Sequence, residues 1–78
     1  MNKIKNGDIL VAIDEFPHWD ENEKCYFAQS GSVVTVVDMQ NGFSKSRYKI
    51  DSVVIMYEGK LFETYKDQID DRFFERVA

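Results

Sequence analysis

The sequence predicts a small all-β domain, or a β-rich α+β one: an antiparallel barrel with a short helical turn near its C-terminus. Three observations carry this. Aliphatic, largely β-branched runs occur at residues 9–13, 33–37 and 53–57, each bounded by turn chemistry. Tight-turn signals stand at Asn6-Gly7, Asn41-Gly42 and Glu58-Gly59. The apolar spacing then changes after residue 62. With 78 residues there is room for one domain, residues 1–78, and for one small core.

Asn6-Gly7-Asp8 is a turn that leads into Ile9-Leu10-Val11-Ala12-Ile13. That run is too short for a convincing helix and reads as a buried strand. Residues 14–24 fit neither a period of 2 nor one of 3.6, and they contain the only Pro, Pro17. They read as one long acidic loop. Cys25-Tyr26-Phe27-Ala28 reads as a short strand, and Gln29-Ser30-Gly31-Ser32 as a turn. Val33-Val34-Thr35-Val36-Val37 is the strongest β signal, although the run alone does not fix which of its faces is core.

Asn41-Gly42 reads as a hairpin turn, because both positions tolerate positive φ. Residues 43–49 are polar and basic and suit an exposed strand or a hairpin tip. Val53-Val54-Ile55-Met56-Tyr57 is a further buried strand, Glu58-Gly59 turns it, and Lys60-Leu61-Phe62-Glu63 returns. Phe62, Tyr65, Ile69 and Phe73 are spaced by 3, 4 and 4, one face of a helix. Thr64-x-x-Asp67 resembles a capping box, so one or two helical turns are expected between Tyr65 and Asp71. Phe73-Phe74-Glu75-Arg76-Val77 extends that helix or forms a closing strand.

Composition narrows the function classes. Fourteen acidic residues against ten basic ones give a net charge of −4. That disfavours a general nucleic-acid binder, whose affinity comes mainly from phosphate neutralisation. A single cysteine, Cys25, excludes an internal disulfide and points to a reducing, cytoplasmic setting. The longest apolar runs are far below the roughly 20 residues that span a bilayer, so no membrane partner is expected. The first residues carry no apolar stretch of the kind a secretory signal needs. Walker, dinucleotide-binding and zinc-protease motifs are all lacking, and no cofactor is expected. The expectation is a protein that is not an enzyme.

The residues with binding potential fall in two groups. The acidic loop holds Phe16, His18, Trp19, Asp20, Glu21 and Glu23. An aromatic anchor within an acidic rim suits a protein partner with a basic, partly apolar surface. The alternative is that the aromatics fold back onto the barrel and the carboxylates only solvate the loop. His18 near Asp20, with Cys25 beyond, lacks the pattern of an activated nucleophile. The carboxylates lack the offsets and the glycine of a calcium loop, and one Cys with one His does not make a zinc site, so no metal is expected. The second group is Lys45, Arg47, Tyr48 and Lys49, a basic stripe with an aromatic that could touch phosphate. Three charges without a wider basic field also fit plain solvated surface.

The layout Lys5-Asn6-Gly7-Asp8-x-Leu10-x-Ala12, Tyr26-Phe27-x-x-x-Gly31-x-Val33-x-x-Val36, Tyr48-x-Ile50 and Phe73-Phe74-Glu75-Arg76-Val77 resembles small SH3-like β-barrels. Many of these are accessory proteins of tailed bacteriophages. The resemblance implies a binding scaffold with no single shared activity, acting in the host cytoplasm. The expected function is a non-enzymatic interaction module that binds and modulates a host protein. The alternatives are a nucleic-acid-binding barrel, or an acidic nucleic-acid mimic that occupies a basic cleft.

Overall fold

A computed structural model describes residues 4–39, 52–69 and 72–77. They form seven strands: β1 (Ile9–Ala12), β2 (Phe16–Trp19), β3 (Cys25–Ala28), β4 (Val33–Asp38), β5 (Ser52–Tyr57), β6 (Lys60–Tyr65) and β7 (Phe74–Arg76). The only helical element among the described residues is a 3-10 turn, Lys66–Gln68. All pairings are antiparallel within one sheet, in the order β3-β2-β6-β5-β4-β1-β7. The chain is all-β, as its β-branched runs require. None of its described helices is long and apolar enough to cross a membrane.

The sheet coils on itself. In a flat sheet β2 and β7 would lie roughly 24 Å apart, at about 4.8 Å per strand. Yet the rings of Phe16 on β2 and Phe74 on β7 pack edge to face, with centroids 4.9 Å apart. Alternate residues point into the enclosed space: Leu10 and Ala12, Phe16, Ala28, Val34 and Val36, Val53 and Ile55, Phe62, and Phe74. Ile69 joins them from beyond the 3-10 turn. The pairings Leu10↔Val34 and Val36↔Ile55 therefore settle the orientation of β4, with Val33 and Val37 left outside.

The outer face carries a second, polar layer. Trp19, Glu63, Val54 and Asp38 pair in one row across β2, β6, β5 and β4. Glu63 is buried there, and it accepts hydrogen bonds from Trp19 Nε1 and from Ser52 Oγ. Trp19 is half-buried, and its ring packs against that of Tyr65 at 4.9 Å.

Two expectations need correction. Residues 14–24 are not one loop, because β2 runs through them. Its pattern is inverted in hydropathy: Phe16 and His18 point inward, while Trp19 lies on the outer face. Pro17 is tolerated for a specific reason. The Asp20 N–H donates to the Lys24 carbonyl, which sets the doubly bonded pairs with β3 at 18↔26 and 16↔28. The Pro17 nitrogen then faces β6, where no backbone pairing reaches it, and its carbonyl takes the Thr64 hydroxyl at 2.8 Å. What remains of the loop is Asp14 and Glu15 before β2 and the tight turn after it. There Asp20 Oδ1 accepts the N–H groups of Asn22 and Lys24.

The second correction concerns the tail, where the short helical turn expected between Tyr65 and Asp71 is the 3-10 turn Lys66–Gln68, but the 3, 4 and 4 spacing is not one helix face. Phe62 and Ile69 are both core, but not through one helix. A strand to Tyr65, the 3-10 turn and a return strand place them there. Thr64 does not cap the turn, since its hydroxyl is committed to Pro17 and the residue before the turn is Tyr65. Phe74 to Arg76 closes the sheet by pairing with β1. The basic stripe at residues 43–49 and the Asn41-Gly42 turn lie outside the described residues.

Candidate binding site

Two hairpins form one end of the curled sheet. In the first, β2 and β3 carry His18 inward and expose Tyr26 and Phe27. In the second, β5 and β6 are joined by Glu58-Gly59. Both turn residues have positive φ, 52° and 78°, which matches the right-handed twist of the flanking strands.

Between the hairpins is a pocket of about 360 Å³. His18, Tyr26, Tyr57 and Phe62 supply its aromatic lining, and Phe27 and Leu61 stand at its exposed margin. Asp20, Glu58 and Lys60 are its charged groups. A second depression of about 490 Å³ runs along residues 27–32 and shares Phe27 and Tyr57 with the first. Phe27 is 65% exposed, a large apolar surface to leave in water beside a concave site.

His18 is 3% exposed and enclosed by rings. The ring of Phe62 stands edge-on at 4.7 Å and that of Tyr57 at 5.4 Å. Tyr26 stacks at 5.8 Å, and Phe16 lies tilted at 5.5 Å. Its Nδ1 is buried with no hydrogen-bond partner. Burial pushes the imidazole pKa down, while the Phe16 backbone and the Glu58 charge act in the opposite sense.

The sign of the resulting pH effect is fixed. With the folded pKa below the ordinary 6.5, the unfolded chain takes up the proton first as the pH falls. The stabilisation from neutral His18 is full above about pH 6.5. It is lost as the pH drops below that value toward the lowered folded-state pKa. Urea midpoints are therefore expected to fall between pH 7.5 and pH 5.5, and His18→Phe is expected to flatten that slope. An unchanged slope in the variant would mean that another group controls it.

The residues picked out in the sequence are dispersed by the fold. Phe16 has no exposed surface and His18 almost none, so neither is a free anchor for a partner. Both were drawn inward by the strand that replaced the loop. Trp19 is held by Glu63 and Tyr65. Asp20 is half-buried and shapes its turn, whereas Glu21 and Glu23 are exposed. Lys45, Arg47, Tyr48 and Lys49 lie outside the described residues. Cys25 is exposed at the start of β3 rather than in the core.

The fold adds Tyr26, Phe27, Tyr57 and Leu61, which the sequence reading left out. Their signal was strand alternation: Ala28 inward places Phe27 outward, and Phe62 inward places Leu61 outward. Among the described residues, no three His, Cys, Asp or Glu side chains gather to hold a metal ion. No protein-family model, curated protein or solved structure matches the chain.

Proposed function

We propose that this chain is a non-enzymatic binding module that docks on a protein partner through the β2–β3 and β5–β6 hairpins. The observation that carries the reading is exposed Phe27 beside a ring-lined pocket whose margin holds Asp20 and Glu58. Aromatic side chains at a concave site are the usual energetic centres of interfaces, and surrounding charge steers the encounter. Glu21 and Glu23 on the adjoining turn extend the acidic margin. Support for binding over catalysis comes from His18, which sits among rings rather than beside a nucleophile. The resemblance to small phage barrels, which are binding scaffolds, agrees with a role on a host protein.

The test is capture from lysate with the parent chain and with Phe27→Ala, followed by measured affinities for the captured protein. Phe27→Ala is expected to melt like the parent and to lose roughly 2 kcal/mol of binding, the scale of an interface hot spot. If the variant binds equally well, this face is not the interface. A gel shift that weakens steeply with salt would favour the nucleic-acid reading instead.

A further inference from the structure

We propose that the pocket over His18 receives a guanidinium group, the side chain of an arginine presented by the partner protein. This rests on the docking reading of the same face and names what that face recognises. The walls, the margin and the floor each contribute an argument.

The walls are rings. Tyr26, Tyr57 and Phe62 surround the space, and aromatic faces attract cations that have shed part of their water. Guanidinium suits such walls better than ammonium, because it is flat, weakly hydrated and able to stack. One ring already works this way within the chain, since Lys24 Nζ lies 5.4 Å from the Tyr26 centroid.

The margin is acidic. Two carboxylates, Asp20 and Glu58, face one ammonium, Lys60. An anionic guest would meet both carboxylates, and an apolar guest would strip water from them without return. Glu58 also occupies a backbone position that suits Gly, Asn or Asp, at φ 52°. Keeping a glutamate there places a long carboxylate at the pocket in spite of the local backbone strain.

The floor is a further ring. His18 lines the pocket more than nine-tenths buried, with its Nδ1 out of a guest's reach, so it presents an aromatic surface rather than a hydrogen-bonding nitrogen. A planar cation that stacks on rings and bonds carboxylates is a guanidinium.

The experiment is an NMR titration of the full chain with three probes: N-acetylarginine amide, N-acetylnorleucine amide and adenosine monophosphate. The arginine probe is expected to give saturable shifts centred on Tyr26, Tyr57, Glu58 and Phe62. Glu58→Gln should weaken it roughly tenfold, the worth of one charge-assisted hydrogen bond, without lowering the melting temperature. Norleucine shifts of equal strength at these residues would overturn the guanidinium assignment and leave the docking face standing. Preference for adenosine monophosphate would overturn it in favour of a stacked base. Shifts that grow with protein concentration alone would give the pocket to a second copy of the chain. If no probe perturbs these residues, the guanidinium assignment falls, while the docking reading is decided separately by the affinity of Phe27→Ala for the captured protein.

Discussion

Phe16→Ala is expected to leave no cooperatively folded domain at 37 °C. Phe16 has no exposed surface, and its ring meets Phe74 at 4.9 Å and His18 at 5.5 Å. It thus joins the β2 side of the sheet to the far edge strand, β7, and holds the curl closed. Truncating a buried phenylalanine costs about 3–5 kcal/mol, from lost transfer energy and the cavity left behind. A domain this small has a total stability of roughly 5 kcal/mol, so little would remain. Thermal melts by circular dichroism decide the matter. A variant that melts cooperatively near the parent temperature would show that Phe16 does not bridge the sheet.

The same residue shows where the sequence was readable and where it was not. β1, β4 and β5 were legible because each is a β-branched run between turn signals, so local propensity and tertiary placement agree. Even there, the inward face of β4 was undetermined. Both its faces are apolar, and only pairing with Leu10 and Ile55 chooses Val34 and Val36. β2 was illegible for two local reasons. Its inward positions are a phenylalanine and a histidine while a tryptophan lies outside, so hydropathy does not alternate as the pleat does. Its proline marks a break unless one knows that the proline nitrogen faces a gap in the ladder. The tail misled for another reason. A spacing of 3, 4 and 4 also arises when a strand, a 3-10 turn and a second strand each contribute inward residues.

The candidate site was half legible. The acidic turn with Asp20, Glu21 and Glu23 was found, and so was its neighbourhood to large aromatics. Which aromatics face water was not legible, because alternation sorts them only once the inward residue of each strand is known, and β2 was not readable as a strand. Phe16 and Phe27 are chemically identical and pair within the same hairpin. One is completely enclosed, and the other is the most exposed large apolar side chain beside the pocket. The pleat separates them: Phe16 and Ala28 pair on the inward face, and Phe27, next to Ala28, points outward.

Trp19 is the residue for which the sequence left two outcomes open, and its contacts with Glu63 and Tyr65 favour the structural one. A free anchor would lose partner affinity on truncation and keep its melting temperature. Trp19 instead donates its indole N–H to Glu63, a carboxylate buried to 1% exposure, which Ser52 Oγ also reaches at 3.2 Å. Trp19→Phe keeps most of the ring contact with Tyr65 and removes the donor. A hydrogen bond to a charged group contributes about 1.5–3 kcal/mol, and here its loss falls on a carboxylate with little access to water. Trp19→Phe is therefore expected to destabilise by about that amount, visible as a lower urea midpoint with an unchanged slope. Glu63→Gln should destabilise as well, and the double variant should lose less than the sum, with a coupling of roughly 0.5–3 kcal/mol. Additive losses would mean that the indole and the carboxylate do not act on each other. Fluorescence gives an independent reading, because Trp19 is the only tryptophan. Its emission should lie to the blue of a solvated indole and move to the red in Glu63→Ala, as the pair that holds the ring against the sheet is lost. A parent spectrum already at the solvated position, with free quenching by acrylamide, would return Trp19 to the surface and make it an anchor after all.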